Sequence, residues 1–395
     1  HLLSRRQRQM CIRDRMYRKT YALIDCNVIE DNVKAIIKEY SSYKYYFGVV
    51  KANAYGHGLG VIKYMLKAGI NYLAVATLEE GLEVRKRYSD VPVLVLEPVS
   101  ASDAEVASKN NITITIDNKD IFDEIKKKKI RVKFHLKIDT GMNRFGVKSS
   151  EVASYIYNNS DKNLYMEGVF TQLYSGVGDE LNKEVSRFKE ITKDIDLSKV
   201  DIVHLDRSLT MEQHKAFDFA NGVRLGVVMY GFAKRSFPLS WKRKLFNKLT
   251  FKKYVPDVSP LKLNTAFKFV TNVMEIKEIK PGEGVGYGGM YDAKSNIKIG
   301  ILLYGFADFA LIKPYYVEIN GKKYKTITNY MDITSVIIDD DVKLGDEVII
   351  FGDMIGIREI AGYTGVNVYK LICSVTYRVP RVYIYNGKRI EDEEV

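Results

Sequence analysis

The chain of 395 residues is long enough to bury a full core and to hold two domains. With 46% hydrophobic and 28% charged residues it has an ordinary globular composition, and no apolar run approaches the roughly 18 residues of a transmembrane helix. The net charge of +12 does not indicate nucleic-acid binding, because lysines are spread along the chain and no nucleic-acid motif accompanies them.

The N-terminal stretch HLLSRRQRQMCIRDR, residues 1–15, does not begin with methionine and holds five arginines. We interpret it as a non-native leader and expect the native chain to begin at Met16. A targeting peptide is the alternative, although the stretch has neither an apolar core nor a cleavage pattern.

The cysteines are few and widely spaced along the chain. They are too scattered for a disulfide framework or a zinc site, which favours a reducing cytoplasm and no metal. The three cysteines are Cys11, Cys26 and Cys373.

From residue 45 onward, short apolar runs alternate with helical patterns such as VIKYMLKAG and EEGLEVRKRY. A helix, VIEDNVKAIIKEY, precedes the first run, and a further stretch, TMEQHKAFDFA, precedes the last. The eight runs cover residues 45–50, 72–77, 91–97, 112–116, 132–139, 166–172, 201–206 and 223–231. Repeated strand and helix units predict right-handed crossovers and a parallel sheet, and eight strands indicate a closed (β/α)8 barrel.

Active sites of such barrels lie at the carboxyl ends of the strands. Four polar residues fall at or just beyond a predicted strand end, and we therefore expect them at one mouth of the barrel. They are Lys51, Asp139, Gln172 and Ser208.

After about residue 256 the pattern becomes rich in β-runs separated by Gly and Asp turns, such as KPGEG and KLGD. We predict an α/β barrel over residues 16–232, a basic linker insert over 233–257 and a mostly β domain over 258–395. A first strand at about 17–26 can pair with the second domain.

The stretch GVVKANAYGHG, residues 48–58, places the cation Lys51 where a buried strand should close. A buried lysine is costly unless it is paired or chemically used. The plain interpretation is a lysine that turns out to solvent.

Six motifs, which follow one another along the chain, decide between a chemically used Lys51 and one that turns out to solvent. They are VVKANAYGHG, HLKIDTGMNRFG, VRLGVVMYG, VGYGGMY, the pair MD at 331–332, and RVPRVY. Together they resemble the bacterial alanine racemases, pyridoxal-phosphate enzymes with this barrel followed by a β domain. The resemblance extends from Met16 to about Tyr385.

The resemblance implies that Lys51 bonds covalently to the aldehyde of pyridoxal 5'-phosphate. Racemisation requires a base on each face of the substrate, and the resemblance assigns these to Lys51 and Tyr287. In the family this tyrosine reaches the active site of a partner subunit, so a homodimer with shared sites is expected. The flanking glycines of Tyr287 allow close approach to a ligand.

The resemblance also assigns the binding residues. It places Arg224 opposite the pyridine nitrogen, where an arginine can donate a hydrogen bond but does not readily release its proton. Family lysines at the position of Lys137 can be carbamylated; the alternative for Lys137 and Asp332 is a structural ion pair. Tyr55, Ser208, Tyr369 and the amides of Gly226 and Val227 are expected around the phosphate, with Arg144 and the backbone of Met331 at the substrate carboxylate.

Several positions depart from the family pattern. Gln172 stands where the family has histidine, and it can form hydrogen bonds but cannot carry charge. Arg207 places an extra cation beside the expected phosphate, Phe306 replaces a gate tyrosine, and Lys370 replaces a glutamate. These changes surround the two bases without removing them.

We therefore expect a cytoplasmic racemase that interconverts L- and D-alanine and supplies D-amino acid for the cell wall. A serine or broad-specificity racemase and a catalytically impaired cofactor-binding relative are the alternatives. A decarboxylase of basic amino acids is disfavoured because its glycine-rich phosphate loop and cysteine motif are absent from the sequence. A lone-barrel cofactor carrier is disfavoured by the domain that carries Tyr287.

The insert PLSWKRKLFNKLTFKKY, residues 238–254, interleaves apolar residues with lysines, as an interfacial helix does. We favour a solvated linker that packs on the barrel. Weak contact of residues 236–254 with an anionic membrane is the alternative hypothesis.

Overall fold

The computed structural model describes residues 18–175, 178–232, 259–310 and 313–390. The leader predicted at residues 1–15 and the whole of the insert predicted at 233–257 lie outside the described residues. The described residues divide into two compact units, one formed by residues 26–266 and the other by residues 18–25 with 267–390. No helix of the described ranges is both long and apolar enough to cross a membrane.

The first unit contains the predicted closed barrel of eight parallel strands. All eight apolar runs form strands, because a parallel strand covered on both faces reads as a continuous hydrophobic segment. The barrel closes where the strand Tyr45–Val49 pairs with the strand Gly222–Leu225, with Gly48 opposite Leu225. The strands are β2 (Tyr45–Val49), β3 (Tyr72–Val75), β4 (Val93–Pro98), β5 (Thr113–Ile116), β6 (Val132–Ile138), β7 (Leu164–Thr171), β8 (Ile202–Arg207) and β9 (Gly222–Leu225).

Helices connect most of these strands, and four of them begin with a side-chain cap. Thr77 and Glu80 form a reciprocal capping box, while Ser100, Asn118 and Ser149 each accept a bond from a first-turn amide. The helices are α1 (Cys26–Glu39), α2 (Ile62–Lys67), α3 (Leu78–Arg87), α4 (Ala101–Lys109), α5 (Lys119–Lys127), α6 (Ser150–Asn159) and α7 (Gly178–Ile191). Short 3-10 turns occur at Leu59–Val61, Leu197–Lys199 and Val227–Tyr230.

The stretch TMEQHKAFDFA, residues 210–220, forms turns instead of a crossover helix. The Thr210 hydroxyl donates to Asp206 at 2.8 Å and accepts from the Arg207 N–H at 2.9 Å. Such local side-chain bonds compete with helix formation.

The second unit is mostly β, as predicted. Its main sheet has nine strands in the order β13-β16-β15-β14-β17-β10-β1-β18-β19. The strands of this unit are β1 (Tyr21–Asp25), β10 (Phe267–Ile279), β11 (Gly284–Val285), β12 (Tyr291–Asp292), β13 (Ile297–Leu302), β14 (Tyr316–Ile319), β15 (Lys322–Asn329), β16 (Thr334–Ile338), β17 (Glu347–Phe351), β18 (Arg381–Tyr385) and β19 (Lys388–Ile390).

The N-terminal strand β1 lies inside this sheet, antiparallel to β10 and parallel to β18. Two helices, α8 (Ile357–Thr364) and α9 (Val368–Cys373), complete the unit. A buried aromatic core contains Phe269, Phe309 and Phe351. Phe309 therefore fills the interior of this unit.

Candidate active site

The chain after β2 forms a left-handed turn that begins at Lys51. The four residues from Ala52 to Tyr55 all have φ between 51° and 54°. Each non-glycine residue in this region costs roughly 1–2 kcal/mol, so the turn must be held by its surroundings. Ala54 N–H donates to Val50 O at 2.8 Å, and Ala52 N–H donates to Glu80 Oε1 at 2.7 Å. The turn thus fixes Lys51 two residues beyond the strand end.

Three of the expected phosphate ligands converge beside this turn. A Cβ built on Gly226 would lie 3.1 Å from Tyr55 Oη and 3.7 Å from Ser208 Oγ. The Gly226 N–H donates to Ser208 Oγ at 2.8 Å, which leaves the Ser208 hydroxyl proton available to donate to a ligand. Val227 follows and begins the 3-10 turn. Two hydroxyl groups around a glycine that has no side chain form a cradle suited to a phosphate.

Arg224, on β9, is buried next to this cradle, and Ser208 N–H donates to its carbonyl oxygen at 3.1 Å. One terminal nitrogen donates to His204 Nδ1 at 2.7 Å, and the other donates to Thr171 O at 2.7 Å. Burial lowers the pKa of Arg224 to about 9. Its hydrogen bonds all come from the two terminal nitrogens, so within the described part of the chain Nε–H has no protein acceptor.

Lys137, Arg144 and Gln172 line one small cleft at the ends of β6 and β7. Lys137 is buried, and its ammonium group lies over the rings of Phe145 and Phe170 at 5.4 and 5.5 Å. Burial, followed by the charges of the nearby arginines, lowers the pKa of Lys137 to about 8. Lys137 therefore releases its proton more readily than an ordinary lysine.

The side chains of Gln172 and Arg207 both form contacts within the barrel unit. Gln172 Oε1 lies 3.5 Å from a terminal nitrogen of Arg224, a long contact that links the cleft to the arginine. The guanidinium of Arg207 donates to Leu173 O at 3.0 Å and Tyr174 O at 3.4 Å. Arg207 thus holds the loop after β7.

The β unit carries the remaining predicted residues. Tyr287 lies between β11 and β12, is 84% exposed and contacts the Tyr330 ring edge-on at 5.7 Å. Gly286 has φ of 95°, and a Cβ there would lie 2.8 Å from Tyr330 Oη. Glycine is therefore required at this position, and the structure brings Tyr287 close to the segment that contains Met331.

Met331 and Asp332 follow Tyr330 at the surface of the β unit. Met331 O accepts from Ala307 N–H at 3.0 Å. Asp332 accepts a bond of 2.7 Å from Arg378, whose Nε lies 3.7 Å from the buried Asp308. Asp332 thus has an ion-pair partner within its own unit.

Phe306 and Tyr369 are two further residues of the β unit that the sequence analysis named. Phe306 is 38% exposed, and its N–H donates to Tyr330 O at 2.8 Å. Tyr369 lies in the first turn of α9, where Asn367 accepts a bond from its N–H at 2.8 Å.

Sequence analysis missed several polar groups that the structure places next to the site. Glu80 holds the turn after Lys51, and His204 accepts from Arg224. His204 in turn contacts His135, which contacts Glu167. The sequence contains a signal for them, because these two histidines and Glu167 are polar residues within predicted buried strands.

A closed barrel with a lysine fixed just beyond one strand end, and a second unit that is mostly β, are features of amino-acid racemases, and this protein is an amino-acid racemase. Two family models match it: "Alanine racemase, N-terminal domain" at residues 24–234 and "Alanine racemase, C-terminal domain" at residues 266–383. The chain belongs to the alanine racemase family, which uses pyridoxal phosphate.

Relatives match along almost the whole chain. Alanine racemase 1 of Bacillus subtilis is 33% identical over 392 residues, covering 95% of each chain. Alanine racemase of Staphylococcus saprophyticus is 30% identical and covers 96% of this chain and 98% of its own. The crystal structure of a Bacillus anthracis alanine racemase with bound L-Ala-P is 30% identical, with a TM-score of 0.84 and coverage of 95% and 98%.

A histidine racemase from Leuconostoc mesenteroides has the same fold. Its TM-score is 0.81 at 22% identity, and the match covers 94% of this chain and all of the other. This likeness concerns the fold alone.

Proposed function

We propose that the protein interconverts L- and D-alanine with pyridoxal phosphate, in the cytoplasm, and so supplies D-alanine for cell-wall synthesis. The observation that carries this proposal is the cradle of Tyr55, Ser208 and Gly226 beside Lys51 and the buried Arg224. The named relatives support alanine as the substrate, since they are alanine racemases.

The chain's own residues fit the cofactor. The hydroxyls of Tyr55 and Ser208 and the amides of Gly226 and Val227 would hold the phosphate, together with Tyr369. The Gly226 amide would act through Ser208, because it donates to the hydroxyl oxygen of that residue. Arg224 Nε–H would donate to the ring nitrogen. When bound, pyridoxal phosphate supplies an aldehyde for covalent attachment to an amine and an electron sink that acidifies the substrate Cα–H.

Lys51 and Tyr287 are the proposed bases. Lys51 Nζ removes or returns the proton on one face of the substrate Cα, and the Tyr287 hydroxyl does the same on the other. Two bases on opposite faces allow inversion with little movement of the substrate. We propose that Tyr287 is supplied by a second copy of the chain in a homodimer, and its 84% exposure and glycine-flanked loop support this.

The substrate carboxylate is held by Arg144 and by the backbone of Met331. Lys137 is proposed to become carbamylated, because its lowered pKa of about 8 leaves more neutral amine at neutral pH than an ordinary lysine has. The resulting anion would orient Arg144. Asp332, which is paired with Arg378, is proposed as a further substrate-binding residue.

The test uses the purified protein with added pyridoxal phosphate and each L-amino acid, followed by chiral chromatography. We expect D-alanine to form, and borohydride to fix the cofactor on the peptide that contains Lys51. Lys51→Ala should lose both results, whereas Lys127→Ala, which removes an exposed barrel lysine, should keep both. Cofactor fixed elsewhere, or no inversion of alanine by the loaded protein, would refute the proposal.

A further inference from the structure

A line of buried polar side chains crosses the barrel interior below Arg224. We call it the axial chain and define it as Arg224, His204, His135 and Glu167. The contacts are 2.7 Å from Arg224 to His204 Nδ1, 2.8 Å from His204 Nε2 to His135 Nδ1, and 3.3 Å from His135 Nε2 to Glu167 Oε2. Each of the four residues is at most 7% exposed.

The barrel is shaped around these groups. The His204 ring is stacked between Phe47 and Phe170, with ring centroids 4.6 and 4.7 Å away. A Cβ on Gly168 would lie 2.7 Å from two atoms of the His135 ring, so this strand position admits only glycine. These contacts hold both imidazole rings in place. What can still vary in each ring is which of its two nitrogens carries the hydrogen.

Arg224 and Glu167, the two ends of the axial chain, determine which ring nitrogen of each histidine carries a hydrogen. A guanidinium only donates, so His204 Nδ1 must accept and His204 Nε2 must carry hydrogen. His135 Nδ1 then accepts, and His135 Nε2–H donates to Glu167. Burial lowers the pKa of both histidines, followed for His204 by the charge of Arg224, and both rings are therefore neutral.

Glu167 is held as an acceptor by further donors. Tyr72 donates to it at 2.6 Å, Lys133 at 2.8 Å and Thr113 at 3.3 Å. Burial alone would raise the pKa of Glu167, but the hydrogen bonds from His135, Lys133 and Tyr72 outweigh burial and lower it. An ionised carboxylate at this end forces every hydrogen bond to run from Arg224 towards Glu167.

We propose that Glu167 is a positioning residue that fixes both imidazoles as Nε2–H tautomers and thereby holds Arg224 in one orientation. In the opposite tautomer, His204 Nδ1–H would face a guanidinium N–H, donor against donor, and push the arginine away. With both terminal nitrogens held, Arg224 Nε–H keeps one direction. The link to catalysis rests on the proposed function, in which this group meets the cofactor ring, whereas the tautomer assignment does not.

The test is 15N NMR of histidine-labelled full-length protein, with and without pyridoxal phosphate. Nitrogen shifts distinguish protonated from bare ring nitrogens, and the sequence has only five histidines, assignable through single His→Gln variants. We expect His135 and His204 to be neutral Nε2–H tautomers near neutral pH in the wild type. A charged imidazole or an Nδ1–H tautomer at either residue would overturn the proposal, with no variant needed.

Glu167→Gln provides the second measurement, because an amide can either donate or accept. We expect a mixture of tautomers at both histidines and a loss of turnover of at least about tenfold, the scale seen for lost outer partners of functional histidines. Tyr72→Phe is the matched control, since it removes another bond to Glu167 but should leave both tautomers unchanged. Unchanged tautomers in Glu167→Gln would contradict the proposal. If both histidines are Nε2–H tautomers but the loaded protein does not invert alanine, the proposed function is refuted and the tautomer assignment still stands.

Discussion

Glu80 Oε1 accepts a hydrogen bond of 2.7 Å from the N–H of Ala52, the first amide after Lys51. The other carboxylate oxygen of Glu80 accepts from Ala76 N–H, also at 2.7 Å. One side chain therefore joins the left-handed turn to the start of α3. Because the turn stores backbone strain, this bond bears directly on where the Lys51 amine lies.

We predict that Glu80→Gln destabilises the protein by roughly 1 kcal/mol, because the new amide group faces one of the two backbone donors and leaves it without an acceptor. Attachment of the cofactor to Lys51 should also slow. Urea unfolding and the visible absorbance of bound cofactor measure the two effects. Glu79→Gln, the exposed neighbour, is the control and should stay within about 0.5 kcal/mol; equal behaviour of both variants would contradict the prediction.

Gly226→Ala should weaken cofactor binding and should also destabilise the unloaded protein. Its backbone angles, φ −111° and ψ −114°, lie outside the regions that residues with a side chain usually adopt, and the added methyl group would lie 3.1 Å from Tyr55 Oη, inside the cradle. Titration with pyridoxal phosphate and thermal unfolding without it separate the two effects. Gly362→Ala, where the new methyl group meets nothing within 4 Å, should bind normally; normal binding by Gly226→Ala would place the phosphate elsewhere.

Much of the fold could be predicted because the barrel strands are buried on both faces and read as continuous apolar runs. The sequence also predicts Lys51, Asp139, Gln172 and Ser208 at one mouth of the barrel, since parallel strands in a barrel all end on the same side. The β-runs and the Gly and Asp turns after about residue 256 predicted the β unit.

The polar interior could not be predicted in the same way. His135 and Glu167 are 32 positions apart in sequence, and their contact depends on strand register, which includes an irregularity between Phe134 and His135. The left-handed turn was equally hidden, because its four residues include two alanines, which rarely adopt positive φ. Local residue preference was overridden there by the closed barrel and by Glu80.

Lys137 should form a carbamate whose occupancy rises as the pH increases through about 8, because only the neutral amine reacts with carbon dioxide and the pKa of Lys137 is lowered to about 8. Carbon NMR with 13C-labelled bicarbonate would detect it. Lys137→Gln should lose the signal, and Lys127→Gln should retain it. A wild-type spectrum without a carbamate signal at any pH would show that Arg144 is oriented by other groups.

His214 should stabilise the fold in a pH-dependent way. Its Nε2 lies 3.0 Å from Oδ1 of the buried Asp206. Burial alone would lower the pKa of His214, but Asp206 outweighs burial and raises it above its usual 6.5. A raised pKa in the folded state contributes stability that is complete below about 6.5 and is lost as the pH rises through the folded-state pKa.

The difference in unfolding free energy between the wild type and His214→Gln should therefore shrink as the pH rises above about 6.5. Urea unfolding at a series of pH values measures it. Lys215→Gln removes a neighbouring charge without touching Asp206 and should show no such trend. A difference that grows with pH would mean that the charge contact is not formed.

Tyr287→Phe should keep the ring and its packing on Tyr330 but delete the proton carrier. Positioned acid–base groups contribute roughly 100- to 10,000-fold, so turnover should fall within that range while cofactor binding persists. With Lys51 intact, the enantiomer whose α-hydrogen faces it should still exchange with deuterated solvent, and its mirror image should exchange poorly. Tyr316→Phe, which changes another tyrosine of the β unit, should leave turnover unchanged.

A site shared between two subunits predicts a second result for the Tyr287→Phe variant. Since Tyr287 is expected from the second copy of the chain, mixed dimers of inactive Lys51→Ala and Tyr287→Phe protomers should regain part of the activity, because one site then has both bases. Native mass spectrometry can verify that mixed dimers form. Equal solvent exchange from both enantiomers, or no recovery in verified mixed dimers, would exclude the two-base mechanism with a shared site.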